Sequence, residues 1–575
     1  VNYEYDVVVV GGGIAGLYTA YTATLGGLRV AVVSKVHVTR SHSVAAQGGI
    51  AASLSNEETD SWEWHFYDTV KGSDFLADQN IAEVLAKEAP DAIYTLEHLG
   101  VPFSRNSKGT IDQRRFGGHT KNYGEAPIKR ACYISDRTGR AIMDTLYDYC
   151  CQVGVAFHNE TYIHQLLFSP HSCCGATGYD LKTATTHVFH AKAVVLATGG
   201  CGKIYKTTSN GFASTADGFA LALDAHVPLQ DMEFVQFHPT GIYGLGILLS
   251  EAARAEGAVL RNGKGERFME RYAPTLMDLA PRDIISRAIL REIEEGRGIK
   301  GKDYVFLDLR ELGQERLSQR LPEITSFVKA YLGISPAETP IPVAPTCHYM
   351  MGGIPTDING HVQMDCIGTI LPSLYAVGEC ACVSAHGANR LGCNSLIDLV
   401  VFGKRTGQAL IEDLKDKAFA PLPYQAESIV ADRLNCLLDA QGYERVSVLR
   451  ESMQKIMTTN VSVFREKAAL STALKKIRQL KKRNLRVGLT DKGRVFNYEL
   501  AEALEFTNML RVAECIVTSA LARTESRGAH FRSDFPERND KEWLKHTLVE
   551  ETASGLQVNY KPVSITRFVP QQRRY

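Results

Sequence analysis

A six-residue run, Tyr5 to Val10 (YDVVVV), followed at once by Gly11, Gly13 and Gly16, constrains this chain more than any other feature. Its four consecutive valines, Val7 to Val10, suit a strand buried on both faces, as parallel strands are. G-x-G-x-x-G directly after it predicts a βαβ opening. Gly11 permits the tight turn, Gly13 lets backbone approach a pyrophosphate, and Gly16 lets helix pack on strand. The helix, with Ala15 in its first turn, is expected to end near Gly26 and Gly27, and a second strand to run from Leu28 to Val33. Phosphates would then sit at the helix N-terminus. Where an acid would hold ribose hydroxyls the chain carries Ser34 and Lys35, which argues against NAD. Two further strand-to-glycine elements, residues 193 to 200 (AVVLATGG) and 374 to 379 (LYAVGE), return to the same nucleotide. Three approaches fit the long body of FAD.

Composition narrows the class. A chain of 575 residues forms two to four domains with ample core, and a formal net charge of zero gives no reason to expect nucleic acid as a partner. Any attraction for an anionic substrate must come from local basic groups. The 13 cysteines include no paired C-x-x-C sets. Cys150-Cys151, Cys173-Cys174 and the C-x-C of Cys380 and Cys382 lack zinc or iron-sulfur spacing, so no metal is expected and a reducing compartment is. No apolar run reaches the roughly 18 to 20 residues of a membrane span, and a strand at residue 5 leaves no room for a signal peptide. Membrane contact is therefore expected only through partners.

The expected fold class is α/β: a Rossmann-like FAD-binding domain with an inserted capping domain, a C-terminal helical domain and an irregular C-terminal tail. The FAD-binding domain is read as discontinuous, 1–236 and 343–420, with the cap at 237–342, the helical domain at 421–525 and the tail at 526–575. Leu470, Leu474, Ile477 and Leu480 step at helical spacing beside a basic face from Lys475 to Arg483. Asn497 is placed to cap a helix striped by Leu500, Leu504, Leu510 and Ala513. From Glu525 onward the polar sequence reads as a segment wrapped on the surface.

Several motifs occur in order: RSHS with AQGG (40 to 49), QFHPTG (236 to 241), ERFM with LAPRD (266 to 269 and 279 to 283), PTCHYMMGG (345 to 353), HGANRLG (386 to 392) and ESRGAH (525 to 530). Together they resemble the flavoprotein subunits of succinate dehydrogenase and fumarate reductase, the catalytic part of respiratory complex II, nearly end to end. The resemblance implies that His42 bonds covalently to the 8α carbon of FAD. Ser43 stands where many relatives carry threonine. It implies a cofactor site comprising Gly11, Gly13, Ala15, Gly16, Ser34, Lys35, Ser41, His42, Ala46, Gln47, Gly48, Gly49, Ala197, Thr198, Gly199, Asp217, Glu379, Arg390, Ser395 and Leu396. The helix beginning near Asn394 would aim its positive end at the flavin's pyrimidine, with Cys393 replacing a glycine common there.

The implied substrate is a four-carbon dicarboxylate. Arg390 and His348 would hold one carboxylate, His238 and Thr240 the other, and Phe116 the carbon skeleton. Hydride would pass to flavin N5 and a proton to the protein. On unperturbed pKa values a histidine, His348 or His238, is the natural acceptor, since an ordinary arginine yields its proton at pH 7 only at a cost of about 7 kcal/mol. The family assigns the role to the arginine at Arg282, with Glu251 and Arg254 carrying the proton away.

The implied partners are an iron-sulfur subunit and membrane anchor subunits with quinone, with or without heme, which would hold the chain on the cytoplasmic face of a bacterial inner membrane. Gln47 and the ERFMERYAP stretch favour succinate oxidation over fumarate reduction. Two rivals remain at this level: an L-aspartate oxidase with noncovalent flavin, and a noncatalytic FAD-binding scaffold.

Overall fold

The computed structural model describes residues 1–426 and 428–574. Its central sheet runs in the order His361–Gln363, Ile370–Ala376, Thr186–Leu196, Asn2–Val10, Val30–Ser34, Ala156–Asn159. All neighbours are parallel except the first pair. Val7, Val8 and Val9 are completely buried, as a strand covered on both faces requires. The helix Ile14–Leu25 stops at Gly26, and the second strand begins at Val30, two residues later than expected. Asp6 explains the delay: its carboxylate accepts from the Arg29 backbone N–H at 2.8 Å.

The helices Ile14–Leu25 and Asn394–Asp413 share one apolar core with the sheet, in which Ile14, Leu17, Val400 and Leu410 meet Val7 and Val9. A residue near position 400 is thereby brought against the glycine turn at residue 11.

A second, antiparallel sheet has the order Val235–Ile242, Ile341–Met350, Val305–Asp308, Val259–Arg261. The helix Arg282–Glu292 belongs to its own apolar core, through Ile285 and Ile289 packed with Ile242, Leu307 and Val343. The expected boundaries near 236 and 343 fall inside its edge strand Val235–Ile242 and the neighbouring Ile341–Met350, so the chain enters and leaves the insertion on a hydrogen-bonded pair.

Towards the C-terminus, helices Lys467–Asn484 and Tyr498–Ala522 bury the leucine stripes read from sequence, although Leu474 is only partly covered. The Asn497 side chain accepts from the Leu500 N–H at 2.8 Å, a direct N-cap. The last segment is irregular beyond Pro562 but more built-in than a surface wrap. Lys545–Thr552 and Gly555–Pro562 form a hairpin that adds Leu229–Gln230 as a third strand. Arg523, Glu525, Arg527 and Arg532 are buried in ion pairs. Their charges look solvated in the linear sequence and find partners such as Glu233 only in the fold. No described helix is long and apolar enough to cross a membrane.

Candidate functional site

One cleft runs from the glycine turn to the insertion. Its lining joins the turn and strand ends of the first sheet to side chains of the insertion, as a dinucleotide with a substrate beside it requires. Gly11 makes the turn at φ +114°, where a Cβ would meet the Ala197 carbonyl at 2.2 Å. Above it the helix Ile14–Leu25 begins without a side-chain cap, and the Ser43 hydroxyl accepts from the Ile14 N–H at 3.2 Å. This is an anion-ready helix end facing a cleft. Gly16 does not line the cleft; a Cβ there would strike the Gly11 carbonyl at 2.2 Å, so its role is the close packing beneath the cradle.

At the far end lie Ser34, Lys35, Asp217 and Tyr162. The carboxylate of Asp217 stands here, at the start of helix Asp217–Asp224. Lys35 Nζ lies 2.6 Å from Asp217 and 2.6 Å from Glu505, and Tyr162 donates to Asp217 at 3.0 Å. The Thr198 hydroxyl is buried without a partner at this cleft. Glycine cradle, open helix end and orphaned hydroxyl together fit an FAD molecule.

Ser41, His42, Ala46, Gln47, Gly48 and Gly49 form the next wall. His42 Nδ1 accepts from the Gly211 N–H at 3.2 Å. Burial, and then the Lys203 ammonium, push its imidazole down to about 4, so the ring is neutral. Phe116 is wedged between Gly48 and Gly392, where a Cβ would approach its ring within 2.7 and 2.6 Å respectively. Ala197, Gly199, Glu379, Ser395 and Leu396 complete this part. Burial raises the Glu379 carboxyl to about 7, although it accepts from the Met350 N–H. Cys393 precedes the helix Asn394–Asp413 at φ +64°, a left-handed conformation that costs a cysteine on the order of 1 kcal/mol and explains why glycine suits the position.

The innermost part gathers His238, Glu251, Arg282, His348 and Arg390. The Thr240 backbone N–H donates to His238 Nδ1 at 3.2 Å, which leaves the proton on Nε2. That Nε2 has no protein partner. His348 Nδ1 lies 2.7 Å from the Ser209 hydroxyl, and the two imidazoles are 5.1 Å apart. Burial, reinforced first by the Arg282 cation, holds both rings well below the usual histidine range. They are neutral hydrogen-bond donors and poor proton holders. Arg282 Nε donates to Glu251 at 3.1 Å. Arg390 stacks on the Tyr349 ring at 4.4 Å with its Nε unpartnered, and burial followed by the Arg282 charge brings it down to about 9.

Two expected side chains stand elsewhere. Thr240 does not line the cleft: its hydroxyl donates to the Leu249 carbonyl at 2.7 Å, behind His238. A register shift between His238 and Gly241 breaks the alternation that would have put both side chains on one face. The cleft hydroxyl is instead Ser250, beside Gln47, whose Oε1 accepts from the Ser250 N–H. Arg254 lies behind Glu251 at 3.7 Å and does not reach the cleft. Sequence reasoning also missed Ser209, Gly211 and Tyr349; only Tyr349 stood inside a quoted motif, next to His348.

The chain is similar to known flavoproteins along nearly its whole length. A family described as FAD binding domain matches residues 6–396, and one described as fumarate reductase flavoprotein C-term matches 450–575. The succinate dehydrogenase flavoprotein subunit of Rickettsia bellii is 47% identical over 574 residues, covering 98% of this chain and 96% of its own. The fumarate reductase flavoprotein subunit of Mycobacterium tuberculosis is 41% identical over 595 residues, covering 100% of this chain and 99% of its own. Among solved structures, an E. coli quinol fumarate reductase superposes with a TM-score of 0.92 at 38% identity, covering 99% of this chain and 98% of that one.

Proposed function

The chain belongs to the family of succinate dehydrogenase and fumarate reductase flavoprotein subunits, and from that premise we propose that it oxidises succinate to fumarate. Bound FAD supplies the hydride acceptor, and His42, a neutral imidazole lining the cleft, is the residue that carries it covalently. A bond from Nε2 would take the place of its 3.4 Å contact with Asn210 Nδ2 and leave the Nδ1 lone pair for the Gly211 N–H.

The carrying observation is a set of hydrogen-bond donors with nothing in the protein to saturate them. His238 Nε2 and Arg390 Nε are buried and unpartnered at the same end of one cleft. Two such donor groups suit the two carboxylates of a small diacid: Arg390 with His348 at one end, His238 with Ser250 at the other. Phe116 packs on the carbons between them and excludes water. The histidines are too weakly basic to keep a proton, which favours Arg282 as acceptor. Arg282 is hydrogen-bonded to Glu251, and Arg254 stands behind that carboxylate, giving the proton a way out.

Electrons leave through an iron-sulfur subunit to a membrane anchor and quinone, with the chain peripheral on the cytoplasmic face of a bacterial inner membrane. Fumarate reduction is the same chemistry reversed. Gln47, which holds the Ser250 backbone, accords with the oxidative direction. Succinate-dependent reduction of a dye by the flavin-loaded chain tests the activity, and its absence rejects the reading. Flavin fluorescence that migrates with the chain on a denaturing gel, and is lost in His42→Ala, tests the linkage; free-running flavin in the parent would favour an aspartate-oxidase-like enzyme.

A further inference from the structure

Arg282 and Arg390, both buried, converge on a single neutral atom. The Gln236 side-chain oxygen accepts from Arg282 Nη1 at 3.0 Å and from Arg390 Nη2 at 3.0 Å. Gln236 is fully buried and does not itself line the cleft. Its orientation is forced by its neighbours. The Gly72 carbonyl can only accept, so it takes Asn389 Nδ2 at 3.1 Å and turns Asn389 Oδ1 toward Gln236. Gln236 Nε2 then donates to Asn389 Oδ1 at 3.0 Å and to the Arg390 carbonyl at 2.8 Å. Only its oxygen is left for the guanidinium groups.

The chemistry of that atom matters. A carboxylate here would still accept from both arginines, but it would cancel one of the charges that a dicarboxylate must meet and turn its second oxygen on two acceptors, Asn389 Oδ1 and the Arg390 carbonyl. An amide orients them and leaves both charges in place. It is also too weak a base to take a proton. Of the two partners of Arg282, Glu251 can receive one and Gln236 cannot.

We infer that Gln236 is a positioning residue for this reaction: its amide spaces the two guanidinium groups, preserves their charge for the substrate, and confines proton exit to the Glu251 side. The inference rests on the reading of the cleft as a dicarboxylate-oxidising site and adds a residue to it.

Two substitutions separate charge from position. Both give up the two bonds donated by the amide; beyond that shared loss, Gln236→Glu keeps the acceptor and adds a charge, whereas Gln236→Met keeps neutrality and removes the acceptor. Each flavin-loaded variant is assayed for succinate-dependent dye reduction and for binding of malonate, a dicarboxylate with no CH–CH bond to oxidise, by flavin absorbance. Gln236→Glu is expected to weaken malonate binding and raise the succinate KM by about tenfold or more. Gln236→Met is expected to lower kcat by about tenfold or more while malonate affinity stays within about threefold. Loss of kcat and affinity in parallel in both variants, or no change in either, overturns the inference. Should Gln236→Glu fail to retain flavin, Gln236→Asn, which keeps an amide, must exceed Gln236→Met in kcat; equal values overturn the inference. A parent chain that binds malonate but does not oxidise succinate would reject the proposed function, while the malonate comparison still reads the spacing role.

Discussion

The two ends of the cleft are built on opposite electrostatic plans. At the adenosine end every charge named here is answered by the protein: Lys35 sits between Asp217 and Glu505, and Tyr162 and Asn508 complete the carboxylate. At the catalytic end the donors outnumber the acceptors. Arg282 and Arg390 share one amide, and His238 Nε2 and Arg390 Nε are buried without hydrogen-bond partners. Unsatisfied buried polar groups cost free energy, so a fold that carries two in one place is arranged for a ligand that supplies the acceptors. One end is complete without substrate; the other becomes complete only with it.

This contrast gives its own tests. Arg282→Ala should cause the largest change, lowering kcat by about 10²–10⁴-fold while malonate binding stays measurable. Near-parental turnover there, with loss in His348→Ala instead, would move the proton to the histidine. At the opposite end, Lys35→Met leaves two buried carboxylates facing each other. It should destabilise the flavin-loaded chain by about 3–5 kcal/mol in chemical denaturation. In molecules that keep their flavin, the succinate KM should stay within about twofold of the parent, because the sites are distant and share no partner. A KM that moved with stability would erase the distinction between the ends.

A smaller effect comes from His546, fully buried between Asp231 and Asp78. Burial alone would lower its pKa, but the two carboxylates outweigh it and hold the group at about 10. A raised folded-state value means that the stabilisation is complete below the unfolded value of about 6.5 and is lost as pH climbs to about 10. Thermal stability of the parent should therefore fall over that range more steeply than that of His546→Gln. Equal slopes would show the charge to be unimportant. Smallest of all, Asn497→Ala removes the cap of the helix that carries Glu505 and Asn508. It should cost about 1 kcal/mol and leave kcat unchanged.

The same contrast explains what could be read from sequence. The adenosine end begins in a local pattern, a strand and three spaced glycines, and local patterns survive in a linear string. Even there, Lys35 made sense only once it was seen beside Asp217. The catalytic end is assembled from residues more than a hundred positions apart, and motif resemblance alone gathered them. That resemblance gave residue types but not directions. Thr240 was drawn toward the substrate by the resemblance alone, whereas the irregular register turns its hydroxyl to Leu249 and leaves Ser250 in the cleft. Gln236 stood in the same motif and attracted no attention, since an amide has no titration to advertise it. The C-terminal arginines misled for the opposite reason: beside local acids such as Glu525 and Asp534, the contacts that bury them include Glu233 for Arg523 and the Asp74 carbonyl for Arg527, hundreds of residues away.

Anaerobic titration of the flavin-loaded chain, followed by flavin absorbance, tests the account at its centre. Succinate should bleach the oxidised flavin band, and butyrate, which has the same carbon chain with one carboxylate, should not. Bleaching by both to the same extent, or by neither, would contradict a cleft that grips a diacid at two ends.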